Sequence, residues 1–366
     1  MRILMLTHSF NSLAQRLHVA LRRWGHEVSV ELDVVDSVTR EAVDLWKPGI
    51  ILAPFLKRAI PPEVWSKVPC FVVHPGPPGD RGPSSLDRAI RRGAPAWGVT
   101  VLQANAEMDG GPVWAHASFP MRPASKGSLY RLEIAEAAET AIHTALQRFE
   151  SGAHPTPPAL PGPFLPALTR EERRIDWRKD PTETVLRKIR ASDGDPGTLH
   201  TIYGRNFALY NGCVGQARGG TPGEPAARRG SSVALATIDG CAWVSHLQAR
   251  NQGERGMKLP ALDLLGEAAL ALPEEPLAQN LGVEEEPLAG LQYREEGAVA
   301  YLAFHFHNGA METRQCRALA AALEAVGERK PRVLVLEGGR DFFSNGIHLG
   351  RIETAEDPAQ ESMANI

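Results

Sequence analysis

FVVHPGPPGDRGPSSLDRAI, residues 71–90, decides how this 366-residue chain is read. Cys70-Phe71-Val72-Val73 is an apolar run of the kind that lies buried in a sheet, and it ends at His74. Proline and glycine then force an irregular loop, after which Ser84 or Ser85 can cap the next helix. A histidine at the carboxyl end of a sheet strand stands where open α/β folds gather their ligands. GVTVLQANAEMDGGPVW, residues 98–114, adds a carboxylate: Asp109 precedes Gly110-Gly111, where other backbone can come close. Histidine with a carboxylate suits acyl transfer. The carboxylate holds the imidazole or accepts a proton, and an imidazole N–H stabilises a tetrahedral oxyanion. On these residues alone, a structural loop histidine and a turn aspartate stand level with a catalytic pair.

The segments around this stretch alternate in type. Arg2–Leu6 is a short apolar run, and Leu13, Leu17, Ala20 and Leu21 then recur at helical spacing until Trp24-Gly25 closes the helix. Val28–Val30 reads as a strand, and Asp36-Ser37 can cap a helix through Leu45 that Lys47-Pro48-Gly49 ends. Ile50–Ala53 is another buried-type strand, and a longer helix runs from about Ser128 to Phe149. This alternation predicts an α/β, Rossmann-like first domain over residues 1–152, with a parallel sheet and crossover helices. AHPTPPALPGPFLP, residues 153–166, is too rich in proline for regular structure and reads as an extended, semi-rigid linker.

Residues 167–271 change character. Thr184–Arg190 reads as a short amphipathic helix, and Thr201–Tyr210, Val233–Ile238 and Ala242–Leu247 read as strands between glycine-rich turns. They predict a small β-rich domain, with Arg218–Gly230 as a mobile loop. Residues 272–290, acidic and proline-rich, read as a second linker. Beyond it, Val299–Phe306 and Arg332–Leu336 are strand-like, with Thr313–Val326 as a helix between them.

Composition narrows the function classes. Domains run to about 100–200 residues, so this length predicts two or three. The hydrophobic share is 43% and the charged share 23%, ordinary for globular protein. A formal net charge of -3 gives no strong pull toward nucleic acid. Cys70, Cys213, Cys241 and Cys316 form no CxxC pair, which argues against a metal site and fits a reducing compartment. No signal peptide and no stretch of about 20 apolar residues is read, so a cytoplasmic location, small-molecule substrates and no membrane or nucleic-acid partner are expected.

The ordered pattern of His74-Pro75-Gly76, Arg81-Gly82, Asp87–Ile90, Gly98–Gln103 and Met108–Val113 closely resembles the formyltransferase family that uses 10-formyltetrahydrofolate. That family includes methionyl-tRNA formyltransferase, glycinamide ribonucleotide formyltransferase and formyltetrahydrofolate hydrolase. LTREERRIDWRKDPTETVLRKIRASDGDPGT, residues 168–198, and GERGMKLPALDLLGE, residues 253–267, look like that family's junction into a small OB-like β-barrel domain and its continuation. The resemblance covers most of residues 1–267. It implies a catalytic set of Asn-x-His plus a downstream Asp, which His74 and Asp109 match. Val72 stands where the asparagine belongs. Valine cannot donate to the formyl oxygen, and loss of one such donor costs about 3–4 kcal/mol in a comparable site. A thiol acceptor would ease the chemistry, because thiolates are strong nucleophiles. The resemblance also implies that the pterin lies against the loop after Ala53, at Phe55 and Leu56.

VLVLEGGRDFFSNGIHLGRIE, residues 333–353, can be an ordinary strand and turn, yet FFSNGIHL looks like the first oxyanion-hole turn of the crotonase (enoyl-CoA hydratase) family. There the N–H of Ile347 would polarise a coenzyme A thioester carbonyl, and HNGAM, residues 307–311, matches an early turn of the same fold. Residues 291–366 are then the start of a truncated crotonase-like α/β module, and the sequence is expected to be a fragment. A formyltransferase unit fused to a crotonase unit resembles the HypX/HoxX family of hydrogenase maturation factors. That resemblance implies formyl transfer from 10-formyltetrahydrofolate to coenzyme A as the first step toward the carbon monoxide ligand of nickel–iron hydrogenase. The later formyl-CoA decarbonylation is expected to be lost by truncation, and other hydrogenase maturation proteins are implied partners. Arg131, Ser192 and Gln15 are the implied coenzyme A contacts. A methionyl-tRNA-type formyltransferase or a formyltetrahydrofolate hydrolase is the alternative enzyme, and a non-catalytic folate-binding scaffold is the alternative of another class.

Overall fold

The computed structural model describes residues 1–157, 162–216, 219–251, 254–277, 280–282 and 290–365. Two compact units divide the chain, Met1–Thr169 and Arg170–Ile366. Parts of both linker readings, residue 218 of the loop reading and residue 253 of the junction motif lie outside the described residues.

Unit 1 runs β1 (Arg2–Thr7), α1 (Ser12–Arg23), β2 (Glu27–Leu32), α2 (Asp36–Trp46), β3 (Ile50–Phe55), α3 (Pro62–Trp65), β4 (Cys70–His74), α4 (Ser85–Arg92), β5 (Ala96–Gln103), β6 (Val113–Pro120), α5 (Lys126–Leu129), a π-helical turn (Tyr130–Ile134) and α6 (Ala135–Glu150). The sheet order is β2-β1-β3-β4-β5-β6. β1 to β4 are parallel, as the alternating segments predict, but β5 runs against both its neighbours, β4 and β6. The sequence reading of a parallel sheet is corrected there, and the cause is the connection after β4. Pro75–Ser84 is spent on a loop at the carboxyl edge, and the eight residues of α4 span only about 12 Å. The chain re-enters the sheet beside His74, whose register partner is Thr100, and runs back along β4.

Burial follows the sequence pattern. Ile3–Leu6 and Ile50–Ala53 are almost wholly enclosed. Leu4, Leu6, Ile51 and Ala53 pack with Ile60, Val64, Cys70, Val43 and Trp46 on one face. Each fully buried leucine or isoleucine there contributes about 1.5–3 kcal/mol. Small residues on α6, Ala138, Ala141 and Ala145, are fully buried and leave little standoff between that helix and its neighbours. The expected single helix over 128–149 is interrupted by the π turn at Tyr130–Ile134, a local widening common at functional sites.

Two expected caps are corrected. α2 starts after Val35 with no side-chain cap, while the Asp36 carboxylate pairs with Arg58. Ser84 precedes α4, yet its Oγ accepts from the Leu168 N–H at 3.0 Å, and Ser85 Oγ donates to the Pro75 carbonyl at 2.9 Å. The proline-rich segment is also more than a tether. Thr156 pairs with Val113, the Gly162 N–H donates to Gly79 O at 2.9 Å, and the Leu165 N–H donates to Arg81 O at 3.1 Å. Its described residues are therefore strapped onto unit 1, whose boundary falls at Thr169.

Unit 2 begins with α7 (Arg170–Arg173) and α8 (Thr182–Ser192), then β7 (Thr198–Ile202), β8 (Arg205–Gly215), β9 (Pro225–Arg229), β10 (Ser232–Ala236), β11 (Cys241–Asn251), β12 (Glu254–Pro260), α9 (Ala261–Leu265) and α10 (Glu267–Leu270). The antiparallel path is β7-β8-β11-β10-β9. The free edge of β11 is shared, its first half pairing with β10 and its second with β12. Val185, Leu186 and Ile189 of α8 pack in one core with Phe207, Leu209, Val244 and Leu247. Thr201–Tyr210 is not one strand, because Tyr203 and Gly204 both take positive φ and fold it into the β7–β8 hairpin. The segment read as a mobile loop contains β9, which pairs with β10.

The remainder is β13 (Leu291–Glu296), β14 (Val299–Phe304), a 3-10 turn (His307–Gly309), α11 (Thr313–Glu328), β15 (Val333–Gly338), α12 (Leu349–Thr354) and α13 (Pro358–Asn365). β13 and β14 are antiparallel, and β15 joins β14 in parallel after the α11 crossover. Leu291, Leu302, Phe304, Ala322 and Val326 form the core of this layer. Within unit 2, buried His246 stacks on His307 with ring centroids 4.2 Å apart.

Candidate active site

The carboxyl edge of the unit 1 sheet assembles the site. β3 and β4 are parallel with Ala53 opposite Val72, so Phe55 and His74 leave the sheet at the same level. Phe55 is fixed through its carbonyl, which accepts from the His8 N–H at 2.7 Å and from Thr7 Oγ1 at 3.2 Å. Arg58 holds the far side of the same loop by donating to Val34 O at 2.7 Å. Leu56 packs half-buried on the core cluster beneath.

His74 is only 4% exposed and has a carboxylate near each ring nitrogen. Nε2 lies 2.8 Å from Asp80 Oδ2, and Nδ1 lies 3.6 Å from Asp109 Oδ1. The first is a hydrogen bond; the second is too long to be one. Asp109 takes φ 52°, a left-handed conformation that aspartate tolerates better than most residues. Its other oxygen accepts from the Gly82 N–H at 3.0 Å. Arg81 donates to Met108 O at 3.2 Å and pairs with Glu107, so the two loops around the histidine are tied twice. Pro75 O accepts from Ser85 and Trp97, and Gly76 O accepts from Thr100 Oγ1 at 2.8 Å. These bonds fix the two ends of the loop.

Sequence reasoning placed His74 and Asp109, and the structure brings them together. It passed over Asp80, whose signal was available: an acidic residue six positions after the histidine, in an otherwise Pro- and Gly-rich loop. Val72 lies one pleat before His74 and packs on the apolar cluster, supplying no donor. Cys70 at the start of β4 is fully buried with its thiol donating to Val68 O at 3.2 Å, and burial pushes that thiol up to about 12.

Gln15 and Arg131 lie on adjoining elements. Asn11, the N-cap of α1, hydrogen-bonds Tyr130, the first residue of the π turn, and burial pushes that phenol up to about 12. Gln15 is exposed on α1 with its amide donating to Phe10 O at 2.9 Å, and Arg131 stands on the π turn beside Gly127. Ser192, by contrast, belongs to unit 2 and is fully buried, its hydroxyl accepting from Arg173 at 3.4 Å.

The two crotonase-like segments meet within unit 2. The Asn345 N–H donates to Gly309 O at 2.7 Å, the Met311 N–H to Gly346 O at 2.9 Å, and the His348 N–H to Met311 O at 2.9 Å. In parallel pairing the flanking residues make the bonds, so the N–H of Ile347 points away from Met311. A side chain at Gly309 would fall 2.6 Å from Phe342 Cβ, which explains the glycine. Among the described residues no group of three or more His, Cys, Asp or Glu could hold a metal ion, and no helix is long and apolar enough to cross a membrane.

Family models for Formyl transferase and for Formyl transferase, C-terminal domain, match residues 18–146 and 167–259. A relative is the hydrogenase maturation factor HoxX of Bradyrhizobium diazoefficiens, 48% identical over 370 residues that cover 100% of this chain and 64% of the relative. The methionyl-tRNA formyltransferase of Burkholderia thailandensis is 29% identical over 265 residues, covering 69% of this chain and 76% of that protein. Among solved structures, HypX from Aquifex aeolicus in complex with tetrahydrofolic acid superposes with a TM-score of 0.93 at 45% identity, covering 100% of this chain and 64% of that one. A multiply substituted variant of the same Aquifex protein superposes equally well at 44% identity, with 67% of its chain covered. The chain thus spans about two-thirds of the length of the HoxX and HypX proteins it matches.

Proposed function

Because the chain belongs to the HypX/HoxX family of hydrogenase maturation factors and matches both formyl transferase family models, we propose that it transfers the formyl group of 10-formyltetrahydrofolate to coenzyme A. The observation that carries this reading is His74, enclosed between two carboxylates at the edge of the sheet, with valine instead of an amide at position 72. The pterin rests against Phe55 and Leu56, on a loop already anchored from both sides. Gln15 and Arg131, on adjoining elements, supply an amide and a guanidinium to the phosphates of coenzyme A. His74 takes the thiol proton as sulfur attacks the formyl carbon, and returns it to the folate nitrogen as the carbon–nitrogen bond breaks. Asp109 steadies the imidazolium between those events. A thiol acceptor suits a centre lacking one oxyanion donor, because thiolate attack asks less of the site than amine attack.

The formyl-CoA so made is the substrate of the carbon monoxide-releasing step, for which residues 291–366 supply the beginning of a crotonase-like module. The outward N–H of Ile347 is its first thioester donor.

Incubation with 10-formyltetrahydrofolate and coenzyme A should yield tetrahydrofolate and formyl-CoA in equal amounts. Folate binding without coenzyme A-dependent turnover would overturn the proposed acceptor. Formate release independent of coenzyme A would assign water as acceptor instead. Folate binding unaltered by His74→Ala, with no turnover in either protein, would leave a scaffold.

A further inference from the structure

We propose that Asp80 is a positioning residue of this centre, fixing His74 in the tautomer that carries its proton on Nε2, so that Nδ1 is the nitrogen that works. The inference rests on the formyl-transfer reading for its chemical use, but its geometry stands by itself. An ionised carboxylate only accepts hydrogen bonds. With Asp80 Oδ2 2.8 Å from Nε2, that nitrogen must present N–H, and in the neutral ring the lone pair is left on Nδ1. Nδ1 faces Asp109 across 3.6 Å, where no bond competes for the lone pair.

Asp80 is not a surface charge that happens to lie near. The residues on both sides of it are pinned by the strap, through Gly79 O to the Gly162 N–H and Arg81 O to the Leu165 N–H, and its own N–H donates to Pro77 O at 3.0 Å. Its side chain is 15% exposed. Gly76 leaves the space that the pair needs, since a Cβ there would meet Asp80 Oδ2 at 2.4 Å and His74 Nε2 at 2.6 Å. The loop, the strap and the glycine together build one contact, and its consequence is the direction of the imidazole.

In the transfer step the acceptor S–H bond breaks and its proton moves to Nδ1, while sulfur bonds to the formyl carbon. The carbon–nitrogen bond of the donor then breaks, and the nitrogen takes the proton from Nδ1. The Nε2 proton stays on Asp80's hydrogen bond throughout, and no proton is gained or lost overall.

The test uses Asp80→Asn and Asp80→Ala in the full chain. The imidazole signals that vanish in His74→Gln identify this ring in nitrogen-15 spectra. Unaltered protein should show the neutral ring with Nε2 protonated, and Asp80→Asn should move population to the other tautomer. Turnover should fall by about 100- to 10,000-fold with the folate KM little changed, as when an amide replaces the orienting carboxylate of a Ser-His-Asp triad. Asp80→Glu should recover part of kcat, which a merely structural role would not predict. An unaltered tautomer in Asp80→Asn, or turnover kept within about threefold or raised, would overturn the proposal. The spectra need no turnover, so a protein that forms no formyl-CoA but shows the tautomer shift would refute the acceptor and leave the role of Asp80 standing.

Discussion

Gly76→Ala is a small change at the point where the site has least room. The backbone of Gly76 is not in the left-handed region, so alanine adds no conformational strain. The added methyl would lie 2.4 Å from Asp80 Oδ2, 2.6 Å from His74 Nε2 and 2.7 Å from Ser85 Oγ. Ordinary contact begins at 3.4 Å, so the carboxylate must retreat by about 1 Å and the imidazole by nearly as much. The 2.8 Å bond between them cannot persist with a methyl driven into it. A displacement of about 1 Å at reacting groups costs roughly 100-fold in rate. The stability cost is far smaller: overpacking of about 1–3 kcal/mol, offset by about 0.4–1 kcal/mol because alanine restricts the unfolded chain. Thermal unfolding and coenzyme A-dependent release of tetrahydrofolate, measured on one preparation, separate the two. The expected result is a Tm lowered by a few degrees, an unchanged folate KM and a kcat about two orders of magnitude down. A variant with that Tm change but undiminished kcat would show that the His74–Asp80 geometry is not used in turnover.

Gly82→Ala should detach the strap. Its φ of 112° disfavours any side chain, and a Cβ would sit 1.9 Å from Leu165 O; limited proteolysis should then cut at residues 162–168 faster than in the unaltered protein. Leu186→Ala should cost about 2–5 kcal/mol, because the side chain is fully buried beneath the unit 2 sheet, and calorimetry should show the lower transition in unit 2 with unit 1 unmoved. Burial, with His307, His348, Lys258 and Arg314 nearby, lowers the His246 pKa well below its ordinary 6.5, so the ring is neutral in the fold. Below pH 6.5 the unfolded chain binds a proton that the folded chain refuses. Stability present above that pH should therefore be lost on acidification at up to about 1.4 kcal/mol per pH unit, and denaturant titrations of His246→Phe should show a flatter profile.

Local pattern reached the elements whose character is local. The apolar runs of β1, β3 and β4, the spacing of α1 and the length of α11 needed no knowledge of distant residues. His74 and Asp109 were singled out because a motif names them in order, and the fold sets them 3.6 Å apart. The reversed direction of β5 was hidden, since antiparallel pairing depends on how much chain the loop after β4 consumes. Ser84 reads as a cap until the Leu168 N–H, 84 residues away, takes its hydroxyl. Asp80 shows in the sequence as an acidic residue in a loop of prolines and glycines, but nothing in its neighbours' periodicity says that the strap folds that loop back onto Nε2. The π turn follows no repeat visible in residues 128–149, where helical spacing alone predicts an uninterrupted helix.

The strap also changes where this catalytic unit can be divided from its neighbours. Residues 1–152 look self-contained as text, but a protein ending at Gly152 would forfeit the Thr156 bridge, both backbone bonds beside Asp80 and the partner of Ser84 Oγ. The smallest portable unit therefore extends to Thr169. Any fusion, domain exchange or split-protein design that treats the prolines as dispensable spacer would remove the bonds that hold the residues on either side of Asp80.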